Sequence, residues 1–186
     1  MYSWNELESA CRECVKCPLH AERQNVVFGT GNRDARLMFI GEGPGQQEDI
    51  QGIPFVGSAG MLLNDYLTAV GIRREDVYIA NIVKCRPPKN RDPLESEQDA
   101  CIGYLWEQVR LVKPELIVLL GRIAARKLIS SDFLITREHG RWFDMDGYKM
   151  MATYHPSALL RDESKRPEAF LDFKSIAREL GKGDKQ

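Results

Sequence analysis

The residues of this chain best suited to chemistry are five cysteines, a glycine-rich loop, a short basic stretch and one histidine at the end of an apolar run. Cys11, Cys14 and Cys17 recur every third residue before Pro18, and Cys85 and Cys101 follow far along the chain. A C-x-x-C pair can place two thiolates on one metal or cluster, and simple core packing is a poor explanation for three cysteines so close together. Four cysteines in two distant pairs suit a four-thiolate site holding zinc or an iron–sulfur cluster. A zinc ribbon usually shows two C-x-x-C knuckles. Cys85 and Cys101 are too widely spaced for the second, which favours a [4Fe–4S] cluster. Cys11 competes with Cys14 and Cys17 as a ligand on spacing alone. Such a site ties the N-terminal arm to a distant segment and closes a long loop, so its natural role is structural.

The longest chemistry-bearing stretch is residues 39–60. An apolar run over 37–40 enters it like a buried strand. The turn Gly41-Glu42-Gly43-Pro44-Gly45 follows, then the acids Glu48 and Asp49, then Pro54-Phe55-Val56-Gly57, with a helix from about Ser58. Glycine serves where the chain bends sharply or a ligand comes close. Long loops at the carboxyl ends of strands in α/β sheets are where ligands bind. Two further polar segments leave apolar runs in the same way. One carries Lys84, Arg86, Lys89 and Arg91 with no acid before Asp92. The other is Tyr154-His155-Pro156-Ser157.

The elements that must position these groups follow from periodicity and from helix and turn signals. Helices are predicted over 3–12, 59–70, 95–112, 121–129 and 168–180. Strands are predicted over 36–40, 77–83 and 116–120. A hairpin over 141–151 turns at Asp146-Gly147 and runs into a fourth strand over 150–153. The tail from Gly181 is expected to fray. Alternating strands and helices define one α/β domain with a mostly parallel sheet, and the loops from Gly41, Lys84 and Tyr154 then converge on one rim. At 186 residues, with 43% apolar and 28% charged content, the chain has the makings of one sizeable core. It shows no membrane-length apolar run and no signal-peptide pattern, so a cytoplasmic protein is expected. The net charge of -1 means that a nucleic-acid partner must meet a local basic face.

The ordered set of motifs resembles the type-4 uracil-DNA glycosylases, the iron–sulfur branch of the uracil-DNA glycosylase superfamily. The matching pieces are Cys14-Val15-Lys16-Cys17-Pro18-Leu19, the Gly41 to Gly45 turn with Glu48-Asp49, and Pro54-Phe55-Val56-Gly57. They continue with Asn81-Ile82-Val83-Lys84-Cys85-Arg86-Pro87-Pro88, Asn90-Arg91, Cys101, Leu120-Gly121 and Tyr154-His155-Pro156-Ser157-Ala158-Leu159-Leu160-Arg161. They span about residues 11–161, nearly the whole chain. The resemblance implies a three-layer αβα domain with a four-stranded, mainly parallel sheet. It also implies a [4Fe–4S] cluster on Cys14, Cys17, Cys85 and Cys101. Cys11 is then a bystander, because Pro-Leu follows the second pair and not the first.

The implied reaction is hydrolysis of the N-glycosidic bond between uracil and deoxyribose in a flipped nucleotide, a step of base excision repair. Phe55 stacks on the base. The Asn81 amide pairs with uracil O4 and N3–H, a pattern that cytosine reverses. His155 donates to the departing uracil as negative charge develops. Backbone at Gly41, Glu42 and Gly43 approaches the base, and Glu42 positions water. Other superfamily branches carry a water-activating aspartate where this chain has Gly43, so leaving-group stabilisation has to carry more of the rate. Glu48 and Asp49 are either helpers or plain surface acids. Lys84, Arg86, Lys89, Asn90, Arg91, Ser157 and Arg161 meet phosphates, and Leu159 or Leu160 fills the hole left by the base.

Uracil-containing DNA, single- or double-stranded, is the implied partner of a monomeric, nucleoid-associated enzyme, with a sliding clamp or another repair protein beside it. The alternative is a covalent or non-catalytic iron–sulfur uracil-DNA binder. Covalent relatives insert a basic, histidine-bearing loop, and no histidine lies between Cys85 and Cys101 here.

Overall fold

The computed structural model describes residues 1–182. The central strands are β2 (Leu37–Gly41), β3 (Tyr78–Asn81), β4 (Leu116–Leu120) and β6 (Tyr148–Thr153), all mutually parallel where they pair. The sheet has six strands rather than the expected four, in the order β1-β3-β2-β4-β6-β5. The additions are antiparallel edges: the two-residue β1 (Thr30–Gly31) and β5 (Trp142–Met145), the first arm of the predicted hairpin. A short edge such as β1 has no periodicity to read, which is why pattern analysis misses it.

Strands β2, β3 and β4 are buried along their whole length. Continuous apolar runs of this kind belong to a sheet covered on both faces. Alternate side chains enter two cores. Met38, Ile40, Ala80, Ile117 and Leu119 pack with Leu7, Leu105 and Val109 from α1 (Trp4–Arg12) and α4 (Glu95–Val112), and with Ala124 and Leu128 from α5 (Arg122–Leu128). Leu37, Phe39, Ile79, Val118 and Leu120 pack on the other face. Their partners there are Leu63 and Leu67 of α3 (Ser58–Ala69) and Phe173 and Ile176 of α8 (Arg166–Lys182).

Three short helices were not legible as elements: α2 (Gln46–Gln51) inside the long loop, α6 (Ile135–Glu138), and α7 (Pro156–Arg161) directly after His155. The tail expected to fray from Gly181 is helical through Lys182, and residues 183–186 lie outside the described residues. Among the described residues no helix is long and apolar enough to cross a membrane.

Candidate active site

The carboxyl ends of the parallel strands open on a cleft of about 730 Å³. Gly41 ends β2 and pairs with Asn81 at the end of β3. A Cβ on Gly41 would stand 2.4 Å from Asn81 Oδ1 and 2.7 Å from Phe55 Cζ, so only glycine lets both side chains close over the strand end. Asn81 is 1% exposed, and among the described residues its Oδ1 has no hydrogen-bond partner. Leaving such an acceptor unmet costs about 1–3 kcal/mol, and both Asn81 and Phe55 line the cleft.

Phe55 has φ of 53°, a left-handed conformation rare for a bulky residue. Its turn is held by Glu48. One carboxylate oxygen accepts from the Val56 and Gly57 N–H groups at 3.0 and 2.9 Å, and the other accepts from Gly45 N–H at 3.1 Å. Asp49, 2% exposed, accepts from the backbone N–H groups of Gln24 and Asn25. Neither acid is therefore a free surface group. Glu48 clasps the two turns of the loop together, and Asp49 ties the loop to the N-terminal arm.

His155 caps α7. Its Nδ1 accepts from Ser157 N–H at 3.1 Å, which leaves the ring proton on Nε2. Burial, reinforced by the Arg161 cation, pushes its pKa down to about 4. The ring is a neutral N–H donor at neutral pH. It lies 5.7 Å from the Phe55 ring, centroid to centroid. Gly121, at φ of 93°, passes so close that a Cβ there would meet His155 Cβ at 2.8 Å. Helix α8 fixes the strand end behind it: Thr153 Oγ1 donates to Asp172 at 2.6 Å, His139 lies 2.8 Å from the same carboxylate oxygen, and Tyr154 OH donates to Glu168 at 2.8 Å. Burial, followed by the nearby Asp92, pushes the Glu42 carboxyl up to about 7, while Arg122 and Arg161 hold it down.

The residues expected to meet phosphates divide. Arg86 donates to Asn90 Oδ1 at 2.7 Å within a loop whose Lys89 and Asn90 both take left-handed φ, 53° and 56°. Asn90, Ser157 and Arg161 line the cleft. Arg91 lines it too, while its guanidinium grips the buried Glu97 carboxylate at 2.9 and 2.7 Å. Lys84 does not reach the surface: it is 1% exposed and donates to Gln108 at 2.6 Å, so it cannot belong to a basic face. Leu159 is also 1% exposed and packs in the core, whereas Leu160 is 39% exposed. Arg122 and Lys165 line the cleft as well, and Arg122 pairs with Asp92. Sequence reading passed over both; the position of Arg122, directly after the Gly121 that follows β4, was the one available signal.

A second, much smaller cavity is lined by all five cysteines. No disulfide links them. Among the described residues no group of three or more His, Cys, Asp or Glu side chains is arranged to hold a single metal ion. The donor set nevertheless fits a thiolate-bound cluster chemically: Arg23 donates to Cys85 Sγ at 3.4 Å and to Cys14 O at 2.7 Å, Lys16 and Lys84 add two more cations to the lining, and among the described residues no carboxylate lines the cavity. Cys11, 1% exposed, also packs in the core beside α4.

A sheet with a parallel centre of this build, with a cleft at its carboxyl rim, defines a class of α/β ligand-binding proteins. The model of the Uracil DNA glycosylase superfamily matches residues 28–179, and the chain belongs to that superfamily. Within it the similarity is to the type-4 group. The chain is 48% identical to a type-4 uracil-DNA glycosylase of Thermotoga maritima, with 88% of each chain covered. It is 43% identical to one of Archaeoglobus fulgidus over 98% of this chain and 96% of the relative. A third, from Pyrobaculum aerophilum, is 41% identical over 88% of this chain and 87% of the relative.

Proposed function

We propose that the chain is a uracil-DNA glycosylase that takes a flipped uracil into this cleft, breaks its bond to C1′ of deoxyribose and leaves an abasic site. The observation that carries this reading is the buried, unpartnered Asn81 Oδ1 facing a cleft that Phe55 and His155 also line. Uracil answers it. Its N3–H donates to Oδ1, its O4 accepts from the Asn81 amide, and its face lies on the Phe55 ring, where stacking is worth about 1–3 kcal/mol. Cytosine offers an acceptor at N3 and leaves Oδ1 unmet.

The C1′–N1 bond breaks with both electrons going to uracil, whose O2 then carries the developing charge. The neutral His155 ring, held by the Ser157 amide through Nδ1, donates Nε2–H to that oxygen. A water positioned by the Glu42 carboxylate adds to C1′, and the proton it gives up neutralises the departing uracil anion, so that the products are the C1′–OH abasic sugar and free uracil. Arg86, Lys89, Asn90, Ser157 and Arg161 contact the DNA backbone, and the exposed Leu160, rather than Leu159, fills the place of the flipped base. Cys14, Cys17, Cys85 and Cys101 hold the [4Fe–4S] cluster. Bound there, the cluster supplies a cross-link between the N-terminal arm and the segment from β3 to α4.

The test is base release from a uracil-containing oligonucleotide, with thymine and cytosine controls, for wild type, His155→Ala and Asn81→Ala. Free uracil from wild type and a large loss in His155→Ala support the reading. Binding without release, or a covalent protein–DNA adduct, overturns it in favour of a uracil-DNA binder.

A further inference from the structure

Lys84 is the only buried lysine or arginine among the described residues. Its backbone carbonyl accepts from Val27 N–H at 2.8 Å, and its Nζ donates to Gln108 Oε1 at 2.6 Å. Gln108 is itself fully buried and oriented from its other end, where Nε2 donates to Phe28 O at 2.8 Å and reaches Tyr78 OH at 3.1 Å. The amide oxygen is thereby turned towards the ammonium. An amide meets one donor but does not neutralise a charge, and a buried charge without a counter-charge is costly. Among the described residues the cavity beside Lys84 offers no carboxylate; its five thiols share the lining with His20 and Tyr104, and two further cations, Lys16 and Arg23, stand there. A site that only needed filling would be served by an apolar side chain.

We propose that Lys84 is the buried counter-cation of the cysteine-bound cluster, held at the cavity wall by Gln108. Its ammonium offsets, from the protein interior, the negative charge of four thiolates gathered on one cluster. Net charge around a cluster and hydrogen bonds to its sulfurs are among the factors that set its behaviour; Lys84 supplies the first and Arg23 the second. The inference rests on the cluster reading of the cysteine cavity.

The test compares wild type with Lys84→Met, a volume-conserving apolar replacement. Both are purified metal-free and reconstituted anaerobically with ferrous iron and sulfide. Iron and sulfide per chain, the half-life of visible absorbance in a ferrous chelator, and thermal unfolding of the apo and loaded forms are then measured. The expected result is a loss confined to the loaded form. Apo Lys84→Met unfolds within a few degrees of apo wild type, because removal of the desolvated charge is offset by the buried Gln108 Oε1 left without its donor, whereas the loaded variant loses its cluster about tenfold faster, because the anionic assembly has lost its counter-charge. Gln108→Leu, which keeps the ammonium but frees it, falls between. Equal cluster half-lives overturn the inference, as does an apo Lys84→Met destabilised as much as the loaded form, which makes Lys84 a packing residue. Wild type that takes up no iron overturns the cluster reading and the inference together; a loaded Lys84→Met that matches loaded wild type overturns the inference alone.

Discussion

Two sites hang from one end of β3. Asn81, its last residue, lines the large cleft, and Lys84 and Cys85, just beyond it, line the small cysteine cavity. The cleft is roomy and lined by both signs of charge, with Glu42, Glu48 and Asp92 among Arg122, Arg161 and Lys165. The cavity is small and lined by thiols and cations. Each is marked by a buried polar group that the protein does not fully answer: a carbonyl oxygen at Asn81 in one, an ammonium at Lys84 in the other. Native interiors rarely leave such groups unmet. The difference between them points to the partner. A neutral, directional acceptor suits a base edge; a point charge suits an anionic assembly.

The comparison breaks first at His155. His155→Ala is expected to lower single-turnover uracil release by ~100–1,000-fold while oligonucleotide binding stays within a few-fold. Asn81→Ala is expected to cost about 10- to 100-fold in release, the equivalent of one to two buried hydrogen bonds, and to narrow the preference for uracil over cytosine in the same assay.

Glu42 sharpens the contrast through pH. If its carboxylate positions water, release rises about tenfold per unit up to about pH 7 and then levels off. Glu42→Gln flattens that limb. His155, whose pKa is pushed down to about 4, contributes no limb near neutrality. The stability signs are opposite. Glu42 is raised above its ordinary value, so its contribution is present below that value and is lost as pH rises through about 7. His155 is depressed, so its contribution is full above its ordinary value and is lost as pH falls towards 4. Thermal melts across this range check both.

The cavity should fail differently. Cys101→Ser is expected to lower the melting temperature of the reconstituted protein by about 5–10 °C, with far less effect on release at low temperature than His155→Ala. The smallest effect belongs to the basic loop. Lys89→Ala is expected to weaken DNA binding uniformly across sequences and to reduce the salt slope of log K by about one, measured by titration over a range of salt.

Much of the fold was legible because periodicity is a local property. The span of α4 matches its predicted range at both ends, and β4 does so as well, since long amphipathic and continuous apolar runs leave little choice. The hairpin around Asp146-Gly147 was legible from turn chemistry, with Asp146 at φ of 51° and Gly147 at 84°. Residue types and their order also carried the family resemblance, and they singled out Phe55, Asn81 and His155, which line one cleft.

Tertiary structure alone decided which side of the chain each of those groups faces and what answers it. Lys84 and Arg86 are two residues apart on a basic stretch, yet one is buried against Gln108 and the other faces the loop at Asn90. Leu159 and Leu160 are neighbours, one in the core and one in solvent. Glu48 and Asp49 read either as helpers in the chemistry or as plain surface acids, and in the fold they bind backbone amides of two different segments. In each case composition sets what a side chain can do. Burial, and the partner that a distant segment brings to it, depends on contacts between residues far apart in the chain, and no local pattern encodes them.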